Sequence, residues 1–123
     1  MAYTTINKSG DYFNTKLYTG DGTTNRGITG VGFQPDLTWI KARSDTTWHH
    51  LFDAVRGANK ALNSNVNNAE GTVATFPSFD SDGFTVNGAS SGNLNINNQT
   101  NASWNWRANG AGSANTAGDL NST

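Results

Sequence analysis

The residues whose types invite chemistry in this 123-residue chain are few: two adjacent histidines, His49-His50, a single glutamate, Glu70, and the run Asp80-Ser81-Asp82-Gly83. Neighbouring residues of a strand point to opposite faces, so the two histidines cannot close on one metal ion, and the chain has no cysteine to complete a zinc site. One of the pair is expected to be exposed and the other packed. The Asp-rich run opens like a calcium loop, but Phe84-Thr85-Val86 follows where further oxygen ligands would be needed, which makes it a turn. Glycoside hydrolysis needs two opposed carboxyl groups, one held protonated, and Glu70 stands in a polar loop without such a partner. Abundant serine makes a Ser-His-acid triad trivially available, and the spacing does nothing to support one. Gly30-Val31-Gly32 starts a dinucleotide fingerprint but lacks its third glycine and its helix. The expectation is therefore a non-enzyme with no catalytic residue, no metal and no cofactor.

Binding chemistry is better represented. Tryptophan faces stack on sugars, and of the four tryptophans Trp48 stands beside a polar turn, whereas Trp39, Trp104 and Trp106 read by default as core. Trp48, His49 and His50 are accordingly the candidate glycan or surface contacts. Asp53 and Arg56 flank Ala54-Val55 at a turn, where a carboxylate and a guanidinium fork could lock the bend. That pair is read as structural.

These residues must be positioned by strands. Pro35-Asp36-Leu37-Thr38-Trp39-Ile40-Lys41-Ala42-Arg43 has extended-chain residues on alternating faces, and the polar Ser44-Asp45-Thr46-Thr47 leads to a partner run from Trp48, so a hairpin is predicted. Further strands are expected at 15–19, at 26–33 with bulges at its glycines, at 72–76, at 83–87 after an Asp-Gly turn, at 93–97 and at 102–107. Residues 51–62 approach helical spacing, but Gly57 and the asparagines favour strand, turn at Arg56-Gly57-Ala58, strand. In 102–107 the two tryptophans share one face and polar residues the other. The fold class is all-β: an antiparallel β-sandwich, jelly-roll-like, at 15–107. An extended N-terminal arm at 1–14 precedes it, with Tyr3, Ile6, Tyr12 and Phe13 as docking residues. An irregular Gly/Asn/Ser/Ala-rich tail or linker at 108–123 follows, too poor in apolar side chains to offset its ordering entropy.

Eight basic against nine acidic side chains, with no basic run, argue against a nucleic-acid partner. No apolar stretch approaches the roughly 20 residues a membrane helix needs, and the N-terminus lacks the regions of a signal peptide. A protein made in a cytoplasm, without membrane insertion, is expected.

Taken in order, Asp11-Tyr12-Phe13-Asn14-Thr15-Lys16-Leu17-Tyr18-Thr19-Gly20-Asp21-Gly22, Ile28-Thr29-Gly30-Val31-Gly32-Phe33-Gln34-Pro35-Asp36, Trp39-Ile40-Lys41, Leu51-Phe52-Asp53-Ala54-Val55-Arg56-Gly57-Ala58, Phe79-Asp80-Ser81-Asp82-Gly83-Phe84-Thr85 and Trp104-Asn105-Trp106 resemble a domain of tailed-phage virion proteins. That domain occurs in marine and environmental phages, often in tail-fibre-like proteins, and is sometimes grouped with concanavalin-A-like domains. The resemblance implies a β-sandwich displayed on a virus particle, made in the host cytoplasm, with other virion proteins as partners. By analogy it also implies a homo-oligomer, with a trimer favoured, and host-surface glycan binding is the alternative role. In longer relatives a tail like 111–123 leads into another copy. Where relatives carry an apolar strand before the tryptophans, this chain has Asn97-Asn98-Gln99-Thr100-Asn101, so a shorter or more exposed last strand is expected.

Overall fold

The computed structural model describes residues 7–88 and 94–108. Tyr3 and Ile6 of the expected arm, and all of the tail beyond Ala108, lie outside the described residues. A 3-10 turn at Ser9–Asp11 precedes nine strands: Phe13–Thr19 (β1), Arg26–Ile28 (β2), Leu37–Ala42 (β3), His50–Asp53 (β4), Lys60–Asn63 (β5), Gly71–Thr72 (β6), Ser78–Asp80 (β7), Gly83–Val86 (β8) and Thr100–Trp106 (β9). Six form one antiparallel sheet in the order β1-β9-β3-β4-β5-β6, and three form a second in the order β2-β8-β7. The two sheets pack as a sandwich. Tyr18, Ile40, Phe52 and Ala61 of the large sheet meet Ile28, Phe84 and Val86 of the small one, with Phe76 and Leu94 filling between them. The predicted hairpin is β3–β4, with Trp39 opposite Leu51 and Ile40 opposite His50.

One strand reverses an expectation about what lies inside. β9 runs between β1 and β3, with Trp104 opposite both Thr15 and Trp39 and Trp106 opposite both Phe13 and Leu37. Its polar set, Asn101, Ser103 and Asn105, is fully buried on the inner face, and its tryptophans lie half-buried on the outer one. The expectation that the tryptophans belong to the core is thereby corrected. Nor is the strand shorter or more exposed: it has seven residues and Asn101 is buried. Ser103 and Asn105 are buried at little cost because they are bonded, whereas Asn101 Oδ1 has no hydrogen-bond partner among the described residues. Thr38 donates its hydroxyl to Asn105 Oδ1 at 3.0 Å, Asn105 Nδ2 donates to Asn14 O and to Ser103 Oγ, and Asn14 Nδ2 donates to Val31 O.

Other elements shift their limits. The strand expected over 26–33 stops at Ile28, because Gly30 and Gly32 take positive φ (83° and 93°) and turn their N–H groups onto the Asp82 carboxylate at 2.9 and 2.7 Å. The glycine pair thus cradles an internal anion. The strand expected over 72–76 ends at Thr72, and the partner of β8 in the Asp-Gly hairpin is β7, beyond Pro77. Residues 94–97 form no strand: Leu94 O accepts the Tyr18 hydroxyl, and Asn95 bonds Asp21, Thr23 and Arg26 through its side chain. Phe13 and Asn14, placed in the arm by sequence, begin β1, while Tyr12 precedes it and is exposed.

The hydrogen bonds from Gly30 and Gly32 hold the Asp82 carboxyl below its usual range. A folded value below the unfolded one stabilises above pH ~4 and is lost as pH falls through the folded value. The stability gap between the parent protein and Asp82→Asn should therefore be largest near neutral pH and close on acidification, as read by urea midpoints across pH. A gap unchanged with pH would remove this role for Asp82. The Asp21 carboxyl is lowered to about 2, chiefly by the Thr23 hydroxyl and N–H, with Asn95 and Arg26 adding to them.

Candidate functional site

The connection between β3 and β4 is long, and it is tied rather than loose. Lys41 Nζ donates to Ala42 O and Asp45 O at 2.6 and 2.8 Å, and the Asp45 carboxylate accepts Thr46 N–H at 2.7 Å. Farther on, His49 N–H donates to Asn65 Oδ1 and Asn63 Nδ2 donates to His49 O, so this loop is fastened to the one after β5. Between the two loops lies a pocket of about 540 Å³, walled by Asp45, Trp48, His50, Asn63, Asn68 and Val73 among others. Its volume falls within the roughly 300–1,000 Å³ usual for small-ligand sites.

The two histidines part company here. His50, on the inner face of β4, is buried, stacks against Phe52 with centroids 6.2 Å apart, and lines the pocket beside Asn63. His49 turns the other way, its Nδ1 accepting the Trp39 indole N–H at 3.1 Å, which leaves Nε2 to carry the proton of the neutral ring. Trp48 is 49% exposed and also lines the pocket. Of the three candidate contacts, the structure brings Trp48 and His50 to one site and gives His49 to the outer face of the large sheet.

Asp53 and Arg56 meet across the turn that joins β4 to β5, Nε to Oδ2 at 2.5 Å, and the Asp53 carboxylate also accepts Arg56 N–H. Partial burial alone raises the Asp53 carboxyl, but the Arg56 N–H, its guanidinium and the Val55 N–H together outweigh it and hold the group low. Arg56 reaches further, to Leu51 O, Lys60 O and the Glu70 carboxylate at 3.0 Å. It therefore pins the end of the 63–70 loop, which carries one wall of the pocket. Replacing Arg56 by alanine strips partners from two carbonyls and two carboxylates, a cost of about 1–3 kcal/mol. The melting temperature should fall by about 4 °C per kcal/mol at this chain length. Unchanged melting in Arg56→Ala would show the cluster to be ornamental.

Sequence spacing did not signal Asn63, Asn68 or Val73 as neighbours of Trp48, because only the register of β4 against β5, Leu51 opposite Leu62, brings the two loops together. The polar, asparagine-rich stretch over 63–71, which reads as an exposed loop, is the one visible hint. Among the described residues, no cluster of histidine and carboxylate side chains could hold a metal ion.

The outer face of the large sheet is the second feature. Trp39 and Trp104 meet edge to face at 5.9 Å, Phe13 and Trp106 pack at 5.1 Å, and Leu17 on the same face is 56% exposed. Leu62, at the other end of the Trp39–Leu51 row, is exposed too.

Searches of curated proteins and of solved structures return no match. Residues 8–123 match the family described as domain of unknown function DUF7483, a span covering most of the chain, so the protein belongs to that family.

Proposed function

We propose that this chain is a non-enzymatic structural module of a tailed-phage particle, acting in assembly and display as a homo-oligomer. The observation that carries the reading is the apolar outer face of the six-stranded sheet, with Trp39, Trp104, Trp106, Phe13 and Leu17 outward and amides inward. A sandwich that buries asparagines while presenting tryptophans is suited to packing against a neighbour. The occupant we assign to that face is a second copy of the chain. Apolar surface runs up to β1, an edge strand that pairs only with β9 among the described residues, so one neighbour can cover both the face and the open edge. The order of motifs shared with phage virion domains supports the particle setting, and a trimer follows by analogy with virion appendages.

The non-enzymatic reading is supported by how several of the acids are engaged. Glu70 is paired with Arg56, and Asp21, Asp53 and Asp82 are all held low, the opposite of what a general acid requires. The test has two readouts. Mass spectrometry of purified particles of the encoding phage should find the chain as a component, and light scattering should show an oligomer that Leu17→Glu dissociates without altering circular dichroism. Absence from particles overturns the virion role; a monomer at every concentration overturns docking between copies.

A second reading, host-surface glycan recognition, is favoured by the pocket beside Trp48.

A further inference from the structure

The pocket between the β3–β4 loop and the loop after β5 combines one apolar ring with several short polar side chains. Trp48, 49% exposed, offers an aromatic face at the mouth. Asp45, Thr46, Thr47, Asn63 and Asn68 supply a carboxylate, hydroxyls and amides, while Val73 and the buried His50 supply the inner wall. Among the described residues, no lysine or arginine lines it. This chemistry selects against phosphate, sulfate or carboxylate ligands, for which a cationic partner is the usual requirement.

We infer that this pocket binds a neutral sugar residue, with Trp48 stacking on the C–H face of the ring and Asp45, Asn63 and Asn68 bonding its hydroxyls. A pyranose has that division: one face of C–H groups and a rim of hydroxyls that both donate and accept. Asp45 can only accept, and the asparagines can do either. The walls are set before a ligand arrives. Lys41 fixes the Asp45 backbone, Asn63 is bonded to His49 O and lies 3.2 Å from His50 Nδ1, and Arg56 holds Glu70 at the foot of the opposite loop. Preorganisation of this kind reduces the ordering cost that otherwise limits weak ligands. The inference deepens the host-surface reading of the module and rests on it for its biological setting, though not for its chemistry.

The test uses the whole chain labelled with ¹⁵N and four probes, the methyl glycosides of glucose, galactose, mannose and N-acetylglucosamine. At least one should shift the Trp48 indole N–H and the amides around Asp45, Asn63 and Asn68, with millimolar affinity. Trp48→Ala should weaken that binding about tenfold or more, which corresponds to about 1.4 kcal/mol, with an unchanged melting temperature because the ring is half exposed. Trp104→Phe, on the outer face, should leave it intact. If no probe moves a pocket resonance at its solubility limit, the sugar site is overturned even where the chain is found in particles. Binding that survives Trp48→Ala unchanged overturns the assignment to this pocket. Sugar binding by a chain absent from particles supports the pocket and removes only the display setting.

Discussion

Replacing Phe76 by alanine is expected to cost about 3–5 kcal/mol, a large part of the roughly 5–15 kcal/mol that holds a domain folded. Phe76 belongs to no strand. It sits between β6 and β7 and is fully buried, stacked on Phe52 of the large sheet at 4.3 Å and 10°, on Phe84 of the small sheet at 5.3 Å, and met by the edge of Phe79 at 4.8 Å. Both sheets therefore touch the same ring. Truncation leaves a cavity bounded by three phenylalanines whose backbones are fixed by strand ladders, and neighbours so held cannot collapse inward to fill it. The backbone at this point is held as well, by Asn59 N–H to Phe76 O and Asn87 N–H to Thr75 O, so the segment cannot slide another side chain into place. The urea midpoint should fall by about 1–3 M with little change in slope. Phe79→Ala is the control, since that ring is only partly buried and meets Phe76 on one side. Were the two variants equally destabilised, Phe76 would not be the link between the sheets.

Much of the sandwich was legible because its signals are local. Alternation in 15–19 and 37–42 and the Asp82-Gly83 turn each act within a few residues, and Gly57 with φ +102° ends the near-helical pattern of 51–62 as its composition implied. Side of burial was not legible. A period of two shows which residues of β9 share a face but is silent about which face is inside, and the usual preference for buried tryptophan pointed the wrong way. What decides it is the hydrogen-bond set of Asn105 with Thr38 and Asn14, partners 67 and 91 residues distant in sequence. Residues 94–97 fail as a strand for a related reason: Asn95 gives its side chain to Asp21, Thr23 and Arg26, and these long-range bonds replace a ladder. The pocket was half legible. Trp48 could be singled out as an exposed aromatic next to Asp45, Thr46 and Thr47, but Asn63 and Asn68 are brought near only by the β4–β5 register.

The buried amide set gives the other large effect, and its sign depends on pH. Asn105→Asp is nearly isosteric, so it leaves packing alone and changes only what the side chain can donate. In the parent protein Nδ2 donates to Asn14 O at 3.2 Å and to Ser103 Oγ at 3.1 Å, while Oδ1 accepts the Thr38 hydroxyl. An ionised carboxylate would keep the Thr38 bond but set a negative oxygen against the Asn14 carbonyl, in a position with no solvent exposure. A protonated carboxyl can instead donate to that carbonyl. The new acid is therefore expected to stay neutral in the folded state, its folded pKa raised above the unfolded value of about 3.9. A raised value means the variant is favoured at low pH and loses stability as pH rises from about 4 until its folded pKa is passed. At pH 7, about three units above the unfolded value, that loss is about 4 kcal/mol. Because Asp82 and Asp21 destabilise every version of the protein in acid, the quantity to follow is the difference between variant and parent at each pH. It should be small near pH 4 and grow towards neutrality. Asn105→Ala supplies the contrast: it leaves the Thr38 hydroxyl and Asn14 carbonyl without their partner at a cost of about 1–3 kcal/mol that does not vary with pH. If Asn105→Asp showed the same flat difference, the side chain would have reached water, and the inner face of β9 would not be the closed amide layer that turns the tryptophans outward.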